Sequence, residues 1–217
     1  MMMNLFSVFD PSTGILSLNW MSTMLILCIP TPFWNLPSKI IILINLIMKK
    51  LTQEIIMHIN VKEPSIMFIS MFMFILINNL MGLLPYVFTA TAHLISSLSM
   101  ALTIWMSLMI YGWINKTNHM FTHLLPVGTP PILMPFMVII ESISNIIRPG
   151  SLAVRLSANM IAGHLLMSLL GNNLVMNFKL MMVMMWLFMI LLMFELAVAF
   201  IQSYVFMTLS TLYSSEI

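Results

Sequence analysis

Long uncharged stretches set the pattern of this chain. No Asp, Glu, Lys or Arg occurs from Pro11 to Ser38, and none occurs between Glu63 and Lys116. A helix rises ~1.5 Å per residue and the hydrocarbon core of a bilayer is ~30 Å thick, so about 20 apolar residues cross it. The first stretch predicts one span over 15–34, with Trp20 and Trp34 at interfacial depth and Pro30, Pro32 and Pro37 ending it. The second predicts two spans, 65–84 and 93–115, with Pro85 and the Thr89–Thr91 stretch turning the chain between them. Asn78 and Asn79 fall inside the first of these, where polar groups need partners from neighbouring helices.

The remaining segments read differently. Residues 38–60 combine an apolar half-span, Ile40 to Met48, with Lys49, Lys50, Glu54 and His58, the pattern of an amphipathic helix lying on a membrane surface. Lys39, Lys49, Lys50 and Lys62 gather on this side, which the positive-inside rule assigns to the matrix or cytoplasmic face. Residues 116–131 read as a loop containing His119, His123, Pro126, Gly128, Pro130 and Pro131. Two apolar segments follow, 135–170 and 175–211, joined at Gly171–Asn172–Asn173. Each exceeds the length a span needs, so tilting or kinking is expected, with Pro149–Gly150 as the kink point in the first. The fold class is therefore all-α integral membrane, with about five membrane helices and one surface helix.

Composition agrees. Hydrophobic residues make up 61% of the 217 and charged residues 6%, against about 25% charged in a soluble domain. A net charge of +2, scattered along the chain, gives no footprint for nucleic acid. The single cysteine, Cys28, supports neither a disulfide framework nor a thiolate metal site. The 27 methionines read as replacements for Leu and Ile in membrane helices, because no Met-X-Met ladder faces a His or Cys cluster. His119 and His123, four apart, would share a face only if this stretch were helical, and they lack an obvious third ligand; they read as solvated loop histidines, so no metal or other cofactor is expected. The first thirteen residues carry Asp10 and no Arg, unlike a transit peptide or a secretory signal.

The chemistry concentrates in the last two segments, where Glu141, Arg148, Arg155, His164 and Glu195 lie at membrane depth. Each charge at a helix centre costs ~2.5–3.5 kcal/mol on insertion scales, and such groups mark ion pathways by default. Glu141, Arg148 and Arg155 recur every seven residues, drifting only ~20° per step, so they line one stripe that Asn159 extends by a turn. His164 lies nine residues past Arg155, roughly 180° around the helix. Glu195 and Gln202, again seven apart, share a face of the final segment. Histidine and glutamate exchange protons; arginine stays charged. The spacing leaves two readings open: proton transfer beside a fixed cation, or a buried Arg155–Glu195 salt bridge that fixes helix packing.

The stretch from Ile147 to Leu165, with Leu152-Ala153-Val154-Arg155-Leu156-Ser157-Ala158-Asn159 followed by Gly163-His164, resembles the signature helix of subunit a of F-type ATP synthases. Asn4-Leu5-Phe6 with Phe9-Asp10, Leu83-Leu84-Pro85-Tyr86, Tyr111-Gly112, Gly128-Thr129-Pro130, and Glu195 followed by Ile201-Gln202-Ser203-Tyr204-Val205-Phe206 extend the resemblance over essentially the whole chain. His at 164 and Glu at 195 are similar to the mitochondrial type, which implies the inner membrane. The resemblance implies that Arg155 faces the membrane-buried carboxylates of a rotating c-ring and blocks direct proton hopping between two half-channels. It implies that Glu195 and His164 form the relay on the intermembrane side and that Glu141 is the acid of the matrix side. Asn159 and Gln202 become polar neighbours of Arg155, and Arg148 is either a relay group or a lipid-phosphate or inter-subunit contact. The implied topology is five membrane helices, a surface helix, and two long tilted helices along the c-ring, with peripheral-stalk and other membrane subunits as further partners.

Two other classes stay in view. A passive scaffold would tolerate apolar replacement of Arg155, His164 and Glu195. A secondary transporter would show paired inverted repeats with broken helices, which this sequence lacks. No Gly-rich Lys-Ser/Thr loop follows a strand, so no nucleotide site of its own is expected.

Overall fold

The computed structural model describes residues 5–14, 16–28, 37–59, 64–84, 86–125, 129–176 and 181–216, and these are helical or connecting throughout. Six α-helices follow one another: α1 (Lys39–Ile59), α2 (Ser65–Gly82), α3 (Leu94–Asn115), α4 (Thr117–His123), α5 (Met134–Met176) and α6 (Met181–Ser215). Short 3-10 segments, Leu5–Phe9, Leu18–Cys28 and Ala90–Ala92, precede α1 or join α2 to α3.

Among the described residues, α2, α3, α5 and α6 are long and apolar enough to cross a membrane. The segment expected to span 15–34 is described as the 3-10 helix Leu18–Cys28. Ile15 and residues 29–36, with Pro30, Pro32 and Trp34, lie outside the described residues, as do Asn4, Lys62, Glu63, Pro85, Pro126 and Gly128.

Two boundaries differ from the sequence reading. Residues 116–131 are not all loop: Thr117–His123 is the helix α4, because this stretch contains no Pro or Gly and Phe121 packs edge-on against Trp113 of α3, ring centroids 5.0 Å apart. The expected turn at Gly171–Asn172–Asn173 is helical, since nothing there forbids helix as proline would, and α5 runs on to Met176. At the other end α6 continues to Ser215. Its polar tail does not stop it: Thr208, Thr211, Ser214 and Ser215 each donate to the carbonyl three residues back, which satisfies their hydroxyls within the helix. Pro149 also sits inside α5 without ending it.

The core lies where α2, α3, α5 and α6 meet. Ile75 and Ala153 are fully enclosed, with Phe68, Phe72, Ile104, Leu156, Phe206 and Met207 around them. Small residues make close approach possible: Ala153 and Ser157 on α5, Ala199, Ser203 and Ser210 on α6, all buried. This is the packing expected in lipid, where association relies on close contact rather than on escape from water. α1 joins the same core through Leu51 and Ile55 while leaving Ile40, Leu43 and Leu46 exposed. Tyr204 of α6 also donates a hydrogen bond to Glu54 of α1, 3.3 Å away.

At ~1.5 Å per residue, α5 is roughly 65 Å long and α6 roughly 52 Å. Both exceed a ~30 Å hydrocarbon layer.

Candidate functional site

α5 and α6 form an antiparallel pair whose register is fixed by three contacts. Gln202 donates from Nε2 to the Arg155 carbonyl at 3.3 Å. A Cβ at Gly163 would collide with the Glu195 carboxylate. The Arg148 guanidinium lies 5.1 Å above the Tyr213 ring. Residues 163, 155 and 148 thus face 195, 202 and 213, in opposite chain directions.

Arg155 occupies the midpoint of α5. Its side chain is exposed, as is that of Asn159 one turn on, and Val154 beside it is exposed too. Among the described residues Arg155 makes no ion pair. A lone cation on an apolar helix surface at membrane depth is costly unless something polar faces it. Gln202, by contrast, is buried beneath Arg155 and bonds its backbone rather than its guanidinium.

The structural salt bridge between Arg155 and Glu195 does not form. Glu195 lies level with Gly163, eight residues along α5, or ~12 Å from Arg155 along the axis. That places its carboxylate beside the backbone that carries His164. Oε1 of Glu195 and Nε2 of His164 are both buried without a hydrogen-bond partner among the described residues. Phe9, from the 3-10 segment Leu5–Phe9, meets the His164 ring edge-on at 6.2 Å. The neighbouring Asp10 is held below the usual carboxylate range by backbone and side-chain hydrogen bonds from Ser12, so an ionised carboxylate stands on this side.

A second polar group lies at the opposite end of the pair. Glu141 is fourteen residues before Arg155, ~21 Å along α5. Arg148 pairs with it at 3.7 Å and also hydrogen-bonds Glu216, past the end of α6. These groups line a cavity of about 750 Å³ bounded by α3, α4, α5 and α6, into which His123 and Asn145 also open. Arg148 thus binds two carboxylates of its own chain.

A third set of buried polar groups gathers between α2 and α3. Asn79 is fully enclosed, as is Thr89, and Asn78 and Thr91 nearly so. Side-chain atoms of all four, and Nε2 of His93, lack hydrogen-bond partners among the described residues. Gly82 leaves room for Thr89, since a Cβ there would come within 2.8 Å of its methyl group. His93 stacks against Trp20 and Phe88 at 5.3 and 5.2 Å.

The structure therefore brings Arg155 to Gln202 and His164 to the neighbourhood of Glu195, and it sets Glu141 apart. Sequence reasoning gave no role to Gly163, Tyr213 and Glu216. A glycine adjacent to a membrane histidine was the available signal for the first. No short-range signal exists for the other two, which reach Arg148 only through the fold of the helix pair.

Comparison with known proteins gives the family. A family model described as ATP synthase A chain matches residues 3–215. ATP synthase subunit a of Anopheles quadrimaculatus is 55% identical over 225 residues, covering 100% of both chains. The subunit a proteins of Aedes aegypti, over 225 residues, and Drosophila melanogaster, over 223, are each 56% identical, again over 100% of both chains. The chain belongs to the ATP synthase A chain family.

Proposed function

We propose that this chain, a membrane subunit of the ATP synthase by its family, conducts protons through two half-channels that meet at a rotating c-ring. It resides in the mitochondrial inner membrane as a multi-pass protein. The observation that carries the reading is the placement of Arg155: unpaired among the described residues, exposed at the midpoint of α5, with separate polar groups on either side of it.

Each part then has a task. His164 and Glu195 take protons from the intermembrane side, where Asp10 remains anionic and attracts cations. A proton passes to a carboxylate of the c-ring, the ring turns, and the carboxylate reaches the other half-channel. There it releases the proton towards Glu141 and the cavity around it. Arg155 favours the ionised carboxylate as it passes, because an opposite charge within ~4–6 Å stabilises the charged form. It cannot itself carry the proton onward. Gln202 anchors the backbone of Arg155, and Asn159 offers a polar neighbour on the same face. The overlong α5 and α6 tilt along the ring, which gives Arg155 a continuous track. α1 lies on the matrix surface, where Lys39, Lys49 and Lys50 meet lipid headgroups.

Energetics fix why the gate matters. A proton crossing 100 mV gains ~2.3 kcal/mol, and direct flow past Arg155 would release that energy without rotation. The scaffold reading has no use for an unpaired cation on an exposed membrane face.

Cross-linking tests the interface. In the assembled complex, Asn159→Cys is expected to form a disulfide with a cysteine placed beside the c-subunit carboxylate, and Leu102→Cys on α3 is not. Cross-linking from residue 102 alone would overturn the proposed ring-facing surface.

A further inference from the structure

We propose that His119 and His123 form a two-histidine site for a divalent transition-metal ion of the zinc class, placed where an occupant restricts the cavity around Glu141. Residues four apart on a helix present their side chains on one face, the arrangement by which helical His pairs chelate zinc. Here the two rings approach to 4.5 Å between centroids with their planes 53° apart. Both side chains are exposed, so a metal ion reaches them from water.

The pair is held in place rather than left on a mobile loop. Phe121 between them packs edge-on against Trp113 of α3. Thr122 donates to the His119 carbonyl at 2.8 Å, and the Met120 amide donates to the Lys116 carbonyl at 3.1 Å. The turn carrying both imidazoles is thereby pre-formed, which lowers the ordering cost of binding.

Two imidazoles choose the metal by chemistry. Zinc, copper and nickel accept imidazole nitrogen, whereas magnesium and calcium prefer oxygen. Among the described residues no third His, Cys, Asp or Glu completes the group. Water would fill the remaining coordination positions, at least one more than in catalytic zinc sites, which have three protein ligands.

Position gives the site its consequence. His123 lines the cavity that also holds Glu141, Arg148 and Glu216. A bound dication adds positive charge at the rim of a compartment that protons must leave, and it obstructs them by repulsion and by bulk. Metal binding stands on the histidine geometry alone. The inhibitory effect rests in addition on the cavity serving as the proton route of the proposed function.

The test uses the assembled complex in vesicles oriented with the α1 face outward, stripped by chelator and with the catalytic head removed. Zinc chloride is titrated, with magnesium chloride as control, while bound zinc and passive proton flow are followed. Wild type is expected to bind zinc and lose flow. His119→Ala, His123→Ala and the double variant are expected to raise both the dissociation constant and the half-inhibiting concentration roughly tenfold or more. His119 does not line the cavity, so His119→Ala keeps its zinc-free flow. An unchanged zinc dissociation constant in the double variant overturns the site. Zinc bound at these histidines with wild-type flow unaffected overturns the inhibitory role, and the pumping behaviour of Arg155→Ala reports separately on the proposed function.

Discussion

The carboxylate of Glu195 on α6 fills the space that a side chain at residue 163 of α5 would occupy. Gly163 therefore admits an acid between two helices at the level of His164. Gly163→Ala is expected to displace the carboxylate and cut proton flow roughly tenfold to a hundredfold, since a misplacement of about 1 Å at a reacting group costs on that order. Assembly of the complex, followed on native gels, should persist. Flow at the wild-type rate would mean that the position of Glu195 is unimportant.

Glu195→Gln keeps the shape and removes the exchangeable charge. Proton uptake from the intermembrane side should slow more than release to the matrix, measured by imposing pH gradients of either sign across vesicles. Equal slowing in both directions would count against the assignment of Glu195 and His164 to one side. In the wild type the two groups should titrate as a coupled pair rather than singly.

Arg148 serves Glu141, Glu216 and the Tyr213 ring together. Its carboxylate partners are a third to a half exposed, so each single pair contributes only about 0–1 kcal/mol. Glu216→Gln should therefore leave thermal stability of the complex nearly unchanged. Arg148→Ala should lower it further, because it strips both carboxylates of their counter-charge at once. Equal small effects from the two variants would show that the three-part contact does not act as a unit.

The seam of small residues makes a stability prediction. Ser203 is fully enclosed on α6, and Ser203→Leu inserts several atoms where none fit. Overpacking costs about 1–3 kcal/mol or more, so protease resistance of the membrane region should fall. Ile201→Leu, on the exposed face of the same helix, is the control that should have no effect.

Much of this was legible from sequence, for definable reasons. The membrane helices announce themselves through uncharged runs, as Ser65–Gly82 and Leu94–Asn115 show. The stripe of Glu141, Arg148 and Arg155 follows from heptad spacing. Helix ends were harder to read: Gly171–Asn172–Asn173 looks like a turn and the last segment reads as ending at 211, yet no proline interrupts either place and both helices continue, to Met176 and Ser215. Contacts between distant residues were not legible. Glu216 on Arg148, Tyr204 on Glu54 and Glu195 on Gly163 depend on the register of packed helices, which no local pattern encodes.

The most direct test of the central claim compares wild type with Arg155→Ala in sealed vesicles holding the assembled complex. ATP-driven proton pumping is measured first, then passive proton flow under an imposed potential after removal of the catalytic head. Loss of pumping with passive flow retained is the predicted result, because the gate that ties flow to rotation is gone while both half-channels remain. Pumping near the wild-type rate would contradict the account and leave Arg155 a structural residue.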